Sequence, residues 1–259
     1  MTRSNPVDRV VDAVAADIPQ RLPAEEATRV VPFVRHWFDG VDPADLVAFA
    51  PPDLCTALLS HWDLLQRRTP GRTLVRVLDP STDAQGWGSP HTVVEIVTDD
   101  MPFLVDSVTM ELNRRGLTLH LLVHPVLCVE RDRDGNLLGV GPGRGCTAPG
   151  RLESAMHIEV DRLSDATARD ALREDLLRVF DDVRAVVEDW PTMRERLTDI
   201  ASGIDPSRLP VPVEETVEAG ALIDWLLADN FVMLGCRDYV LADDGERLDI
   251  VAGSGLGLL

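Results

Sequence analysis

The stretch from Val93 to Val129, VVEIVTDDMPFLVDSVTMELNRRGLTLHLLVHPVLCV, constrains the fold more than any other part of this chain. It spells strand, tight turn, helix and strand in order, with each boundary punctuated. The apolar run from His91 to Thr98 predicts a strand with both faces at least partly covered. Asp99 and Asp100 end it, and Pro102 suits the first turn of a helix, where a missing N–H costs nothing. Leu104, Val105, Val108 and Leu112 line one face of that helix, and Arg114, Arg115 and Gly116 supply the charge and the left-handed residue that close it. A long strand follows from Leu117 to Arg131, then a turn through Gly135.

The same reading extends outward. From Pro6 to Gln66 the apolar spacing is helical: Val7, Val10, Val11, Val14 and Ile18 form one stripe, Val30, Val34, Trp37 and Phe38 a second, and Leu54, Leu58, Trp62 and Leu65 a third. Asp42 and Asp53 are expected as N-caps. Thr73 to Leu78 alternates as a strand, and Asp79 to Pro90, with Gly86 and Gly88, reads as a loop. Gly139 to Pro149 reads as a mobile glycine-rich loop. Leu152 to Leu163 alternates Met156, Ile158 and Val160 against His157, Glu159 and Asp161, the pattern of a strand with one wet face. Ser164 is expected to cap a long helix that Pro191 interrupts, with a shorter helix after it. Asp205 to Pro212 holds three prolines in eight residues and reads as a linker. Beyond it come a helix with Val217, Ala221, Leu222, Trp225 and Leu226 inward, a strand from Phe231 to Leu241, a turn at Asp243, Asp244 and Gly245, and a short strand from Leu248 to Val251. The apolar, glycine-rich ending GSGLGLL is how a truncated chain stops. The expected divisions are 1–70 (helical), 71–203 (α+β) and 204–259 (linker and start of a second, truncated domain).

Composition narrows the chemistry. All 25 basic residues are Arg, so Schiff-base, P-loop and general-base lysine chemistries are excluded together. A net charge of −19 repels phosphate backbones and argues against nucleic acid. Cysteines 55, 128, 146 and 236 are too scattered for a metal knuckle and too few for a disulfide scaffold, which fits a reduced cytoplasm. Neither an export signal nor a membrane-spanning run is present in the sequence.

The middle of the chain is strand, strand, helix, strand, strand, helix. That order is expected to be an α+β fold: a ferredoxin-like, four-stranded antiparallel sheet with two helices on one face, preceded by a helical segment and followed by a helix plus β-hairpin. The edge strand is expected from Thr73–Leu78 or from Phe231–Leu241. The turn at Asp100, Met101, Pro102, Phe103 and Leu104 resembles the start of ACT regulatory domains, whose pattern there is Asp-x-Pro-Gly-Leu. Phe103 stands where Gly usually is, and its ring would partly fill the space that Gly leaves. The longer wording VEIVTDDMPFLVDSVTMELNRRGLTLHLLVHPVL, with SAMHIEVDRL, WLLADNFVMLGCRDYVL and GSGLGLL after it, is similar to the N-terminal region of large-subunit bacterial NAD-specific glutamate dehydrogenases, from about His91 onward and weakly before about residue 70.

The resemblance implies an ACT-like regulatory segment of an enzyme that oxidatively deaminates L-glutamate with NAD. Catalysis and NAD binding would then lie outside these residues, which carry no GxGxxG. It also implies a homo-oligomer, contacts with the rest of the same polypeptide, and an amino-acid effector bound where the first strand meets the first helix, at Asp99, Asp100, Met101, Pro102, Phe103, Leu104 and Asp106. The alternative is a free-standing ACT-type sensor. Simpler roles compete at each position. Asp99, Asp100 and Asp106 are accounted for as carboxylates at a helix N-terminus, each worth about 0.3–1 kcal/mol. His120 and His124 lie about 13 Å apart along a strand, too far for one tetrahedral ion. His157 belongs to the wet face, and Cys236 reads as a buried structural thiol. No catalytic and no metal-binding residue is assigned.

Overall fold

The computed structural model describes residues 6–39, 41–47, 49–80, 89–205, 211–242 and 245–259. The greater parts of the expected 79–90 loop and 205–212 linker, and Asp243 and Asp244 of the expected turn, lie outside them. The chain divides into two compact units, Met1–Val179 and Phe180–Leu259. The first 70 residues and the sheet that follows share a unit, because helices and sheet build one core.

The first unit opens with helices α1 (Pro6–Arg21), α2 (Ala24–Trp37), α3 (Pro43–Val47) and α4 (Pro51–Leu65). The predicted stripes are their buried faces: Val14, Ile18, Val30, Val34, Trp37, Leu58 and Leu65 have no exposed surface. Asp42 caps as expected, its Oδ1 accepting from the Ala44 N–H at 2.7 Å. Asp53 does not. Helix α4 already begins at the two prolines, its N-cap is Ala50, and Asp53 sits inside the first turn.

The sheet comprises β1 (Leu74–Leu78), β2 (Thr92–Asp99), β3 (Leu119–Val123), β4 (Val126–Arg131), β5 (Leu137–Pro142) and β6 (Arg151–Val160). Its order is β1-β2-β6-β4-β5, with β3 also pairing β6. Every pairing in it is antiparallel. The edge beside β2 is β1, which settles the choice between the two expected edge strands. Three expectations change. The long strand predicted from Leu117 to Arg131 is broken at His124-Pro125, where Pro has no N–H for the ladder. Its register holds across the gap, since Val123 faces His157 and Val126 faces Ser154. The glycine-rich stretch begins as a strand: Val129 pairs Val140 and Cys128 pairs Gly141, so β5 adds an edge that the four-stranded expectation lacks.

The third change concerns β6. Its supposedly wet face is buried along the strand, where His157 has no exposed surface and Glu153 and Glu159 retain 2% each, while Asp161, just past the strand, stays part-exposed as expected. The reason is the helical preface. Val93, Val97, Ala155, Leu121, Val123, Leu127 and Val129 share one core cluster with α1, α2 and α4, so the helices cover this face. The alternate positions, Val94, Ile96, Met156 and Ile158, are also buried. They belong to the opposite face by strand periodicity. That face is closed by α5 (Leu104–Arg114) and the first part of α6 (Ala166–Gly203), which supply buried Leu104, Val108, Leu112, Leu172 and Leu176. The two helices are tied where Arg115 donates to the Ala171 carbonyl at 2.9 Å and to Asp175.

Helix α5 ends as predicted, with Gly116 at φ +70° and the Leu117 N–H donating to the Leu112 carbonyl at 3.0 Å. Helix α6 departs from expectation at both points. Asp165 rather than Ser164 caps it, accepting from the Thr167 N–H at 3.1 Å, and it runs unbroken through Pro191.

In the second unit, α7 (Val213–Trp225) passes into a π-type turn at Leu226–Asn230. The expected strand from Phe231 divides into β7 (Gly235–Cys236) and β8 (Tyr239–Leu241). Strand β9 (Leu248–Ile250) pairs β8, and β10 (Leu256–Gly257) pairs β7. The stripe expected to face inward on α7 is exposed: Val217, Leu222 and Trp225 show 59%, 57% and 51% of their surface.

Candidate functional site

The corner between β2 and α5 holds all the residues assigned to effector binding. Asp99 ends β2 with its carboxylate engaged by the Arg68 guanidinium at 2.6 Å and the Gly71 N–H at 3.0 Å. Asp100 accepts a 2.6 Å hydrogen bond from the Ser154 hydroxyl, and its own N–H donates to the Leu152 carbonyl at 3.1 Å. Met101 is half-buried, Pro102 exposed, Leu104 buried and Asp106 exposed in the first turn of α5. No side-chain cap closes that turn. Asp99 and Asp100 are therefore not capping residues, as the spacing suggested, because each has a stronger partner on a neighbouring element. Pro102 also precedes the helix instead of entering it. The turn into α5 is made by Phe103, whose backbone adopts φ +70°. A bulky residue in this left-handed region is uncommon, and the conformation is the one glycine adopts freely. Phe103 thus keeps the backbone path of glycine, and the residue is 41% exposed.

Behind Asp100 lies a short polar chain. The His124 Nε2 stands 3.1 Å from the Ser154 Oγ. Because Ser154 gives its proton to Asp100, His124 must donate. Burial lowers the His124 pKa, while Asp100 pulls it the other way. These three residue types do meet, yet serine sits between the other two with its hydroxyl committed to a carboxylate. A nucleophilic serine must instead pass its proton to histidine. The arrangement fixes the corner and generates no nucleophile.

A buried ion network fastens the corner from below, and the sequence does not announce it. Arg131 grips Glu153 through two 2.8 Å hydrogen bonds, and Arg68 reaches the same carboxylate at 2.8 Å. Burial raises the Glu153 pKa, but the hydrogen bonds from Arg131 and Arg68 outweigh it and hold the carboxylate below its ordinary range. Arg131 also donates to the carbonyls of Leu65 and Gly135 at 3.0 Å each. Arg68 and Arg131 thus tie β2 and β6, through two carboxylates, to β4, the end of α4 and the turn before β5. Charge pairs of this kind carry no local spacing: Arg68 and Glu153 are 85 residues apart.

The histidines go elsewhere. His61, fully buried, accepts from the Trp37 Nε1 at 3.1 Å and bonds the Ile96 carbonyl at 3.2 Å. Burial, with His157 nearby, brings its pKa down to about 3. His157 faces Trp37 and lies 3.6 Å from Glu159. At the other end of β2, His91 and His120 stack with ring centres 4.0 Å apart, bonded to Glu159 and Asp161 at 2.8 Å each. The Thr118 N–H and His120 hold Asp161 at about 2. Parallel stacked rings cannot both direct a lone pair at one ion, and among the described residues no three His, Cys, Asp or Glu gather into a metal-binding set. His120 and His124 have separate partners. Cys236 is half-buried in β7, with Arg196 Nη1 at 3.8 Å.

The structure corrects the expectation of four reduced cysteines: Cys128 and Cys146 form a disulfide. Cys55 is free and buried, and burial pushes its thiol up to about 12. A dinucleotide unit would need parallel strands with a glycine turn into a helix. The antiparallel sheet does not fit that requirement, and the two glycine clusters form β5 with its following loop and the β10 segment. No helix among the described residues is long and apolar enough to cross a membrane.

Comparison with known proteins matches residues 33–176 to the family described as glutamate dehydrogenase, ACT1 domain. The chain is 38% identical over 242 residues to the NAD-specific glutamate dehydrogenase of Halomonas elongata, covering 92% of this chain and 15% of that protein. It is 36% identical over 241 residues to that of Pseudomonas aeruginosa, with the same two shares. With that of Mycobacterium tuberculosis the identity is 28% over 220 residues, 82% of this chain and 13% of the relative. The chain therefore spans about a seventh of the length of these relatives. The likeness reaches well before residue 70, further than the wording of the sequence suggested.

Proposed function

The chain belongs to the glutamate dehydrogenase ACT1 domain family, and from that premise we propose that it is the N-terminal regulatory and assembly segment of an NAD-specific glutamate dehydrogenase. The parent enzyme would deaminate L-glutamate oxidatively to 2-oxoglutarate with NAD, in the cytoplasm, through residues outside this segment. The observation that carries the reading is the mismatch of shares: 92% of this chain aligns with only 15% of its relatives. The absence of lysine from the whole sequence supports it, since glutamate dehydrogenases use lysines on the substrate.

The β2–α5 corner is the seat of regulation in this reading. The unit is of ferredoxin-like ACT type, with β1 completing the sheet beside β2 and β5 as an addition. An amino-acid effector would meet Met101, Pro102, Phe103 and Asp106, because Asp99 and Asp100 already have partners. Residues 204–259 begin a second regulatory domain, and the exposed apolar faces of α7 and of the β8–β9 hairpin support a role in assembly with other parts of a homo-oligomeric enzyme. The alternative, a free-standing sensor, is supported only by the corner itself.

Deleting residues 1–259 from the full-length enzyme separates the two. Loss of subunit assembly or of amino-acid response, with glutamate turnover retained, is expected. Unchanged assembly and unchanged response would end the proposal. Calorimetric titration of the isolated chain with amino acids then distinguishes effector binding from assembly alone.

A further inference from the structure

Cys128 lies in β4, and Cys146 lies in the loop leading from β5 back to β6; the disulfide between them fastens that loop to the sheet. Both cysteines are half-buried, and both line an open cavity of about 380 Å³ together with Glu130, Arg144 and Thr147. The chain is shaped around the bridge. A Cβ at Gly150 would stand 2.5 Å from the Cys128 sulfur and 3.2 Å from that of Cys146, so only glycine passes there. The loop's backbone hydrogen bonds are short-range, Cys146 N–H to Gly143 and Gly150 N–H to Thr147, besides one from Gly143 to Val126. Arg144, Gly145, Thr147, Ala148 and Pro149 are exposed, so little buried surface holds the loop without the bridge. The β4–β5 and β4–β6 ladders do not depend on it, and opening would be local.

We propose that Cys128–Cys146 is a reversible thiol–disulfide exchange site, opened by small thiols entering this cavity, and that its opening releases the 143–150 loop. This rests on the cytoplasmic placement proposed above: disulfides in a reducing compartment are transient or regulatory, and this one is reached by solvent through the open cavity. An incoming thiolate attacks one bridge sulfur, forms a mixed disulfide and expels the other cysteine as a thiolate, which takes a proton from solvent. A second small thiol attacks the mixed disulfide, frees the remaining cysteine and leaves as the small-molecule disulfide. Two electrons pass from two thiols to the bridge, and the oxidised small molecule runs the sequence in reverse. Cys55 takes no part, being buried with a poorly ionised thiol.

The test is to equilibrate the purified chain in reduced and oxidised glutathione at graded ratios, trap free thiols with a maleimide, and map them by mass spectrometry, with amide exchange measured in parallel. Residues 128 and 146 should gain and lose label together while circular dichroism stays native, with glutathione adducts on one of them at intermediate ratios. Exchange in 143–150 should rise at least about tenfold on reduction while 152–160 is unchanged. Cys128→Ser should reproduce the fast exchange under oxidising conditions, and Cys55→Ser should not. A bridge that opens only on unfolding, a pair that never oxidises, or a loop indifferent to reduction would each overturn the proposal.

Discussion

Phe103 holds a left-handed backbone at φ +70° that costs a side-chain-bearing residue about 1–2 kcal/mol. Phe103→Gly relieves that cost but loosens the unfolded chain by about 0.5–1 kcal/mol. The expected result in urea denaturation is between no change and about 1.5 kcal/mol of added stability, with Phe103→Val clearly destabilised. A large loss in the glycine variant would mean that the ring, not the turn, holds the corner. His61 gives the fold a pH dependence. Its folded pKa of about 3 lies below the ordinary 6.5, so the protein binds this proton more readily unfolded. The stability that neutral His61 represents is complete above 6.5 and is lost as pH falls toward 3, with about 2 kcal/mol gone between pH 7 and pH 5. His61→Phe should flatten that part of the curve in denaturant titrations at the two pH values. Neither residue's role is legible locally. The Gly-to-Phe departure marks position 103, but its φ does not follow from it, and His61 owes its state to Trp37 and β2, which are distant in sequence.

At the scale of elements, Leu112 anchors α5 to the sheet with 1% of its surface exposed, while Pro102 is exposed before the helix starts. Leu112→Asp should unfold the first unit by burying an unpaired charge, and Pro102→Leu should cost less than about 1 kcal/mol. Equal chemical denaturation curves would contradict the packing of α5. Glu153→Ala leaves Arg68 and Arg131 facing each other in the core and should cost about 3–5 kcal/mol, whereas exposed Asp106→Ala should cost almost nothing. Guanidinium titration of the two variants checks the contrast. Helices α1, α2 and α4, strand β2 and the closure of α5 at Gly116 follow directly from apolar spacing and glycine placement. Strand β6 shows where that reasoning stops. Alternation of His157 and Glu159 with Ile158 looks the same whether the polar face meets water or meets Trp37, His91 and Arg68. The fifth strand hid in LLGVGP because glycine suppresses the strand signal, though pairing with β4 restores it. The cysteine pairing, across 18 residues, leaves no spacing signature at all.

At the scale of the molecule, the helical preface and the sheet are a single unit because the sheet has two apolar faces and α5 with α6 can cover only one. The polar residues of the covered face then pair within the interior, and the candidate corner becomes a rigid place where carboxylates are already satisfied. The second unit differs in kind. Its α7 stripe and its β8–β9 hairpin leave Trp225, Val240, Leu241 and Leu248 more than half exposed, surfaces that apolar residues ordinarily bury. The sequence has no lysine, and every strand pairing among the described residues is antiparallel; the proposed regulatory and assembly role asks for neither a lysine nor a dinucleotide fold. The most direct measurement is NADH formation by the purified 259-residue chain supplied with L-glutamate and NAD. No turnover above the protein-free rate is expected at any concentration of the chain; a rate that scales with its amount would contradict the assignment of catalysis to residues outside it.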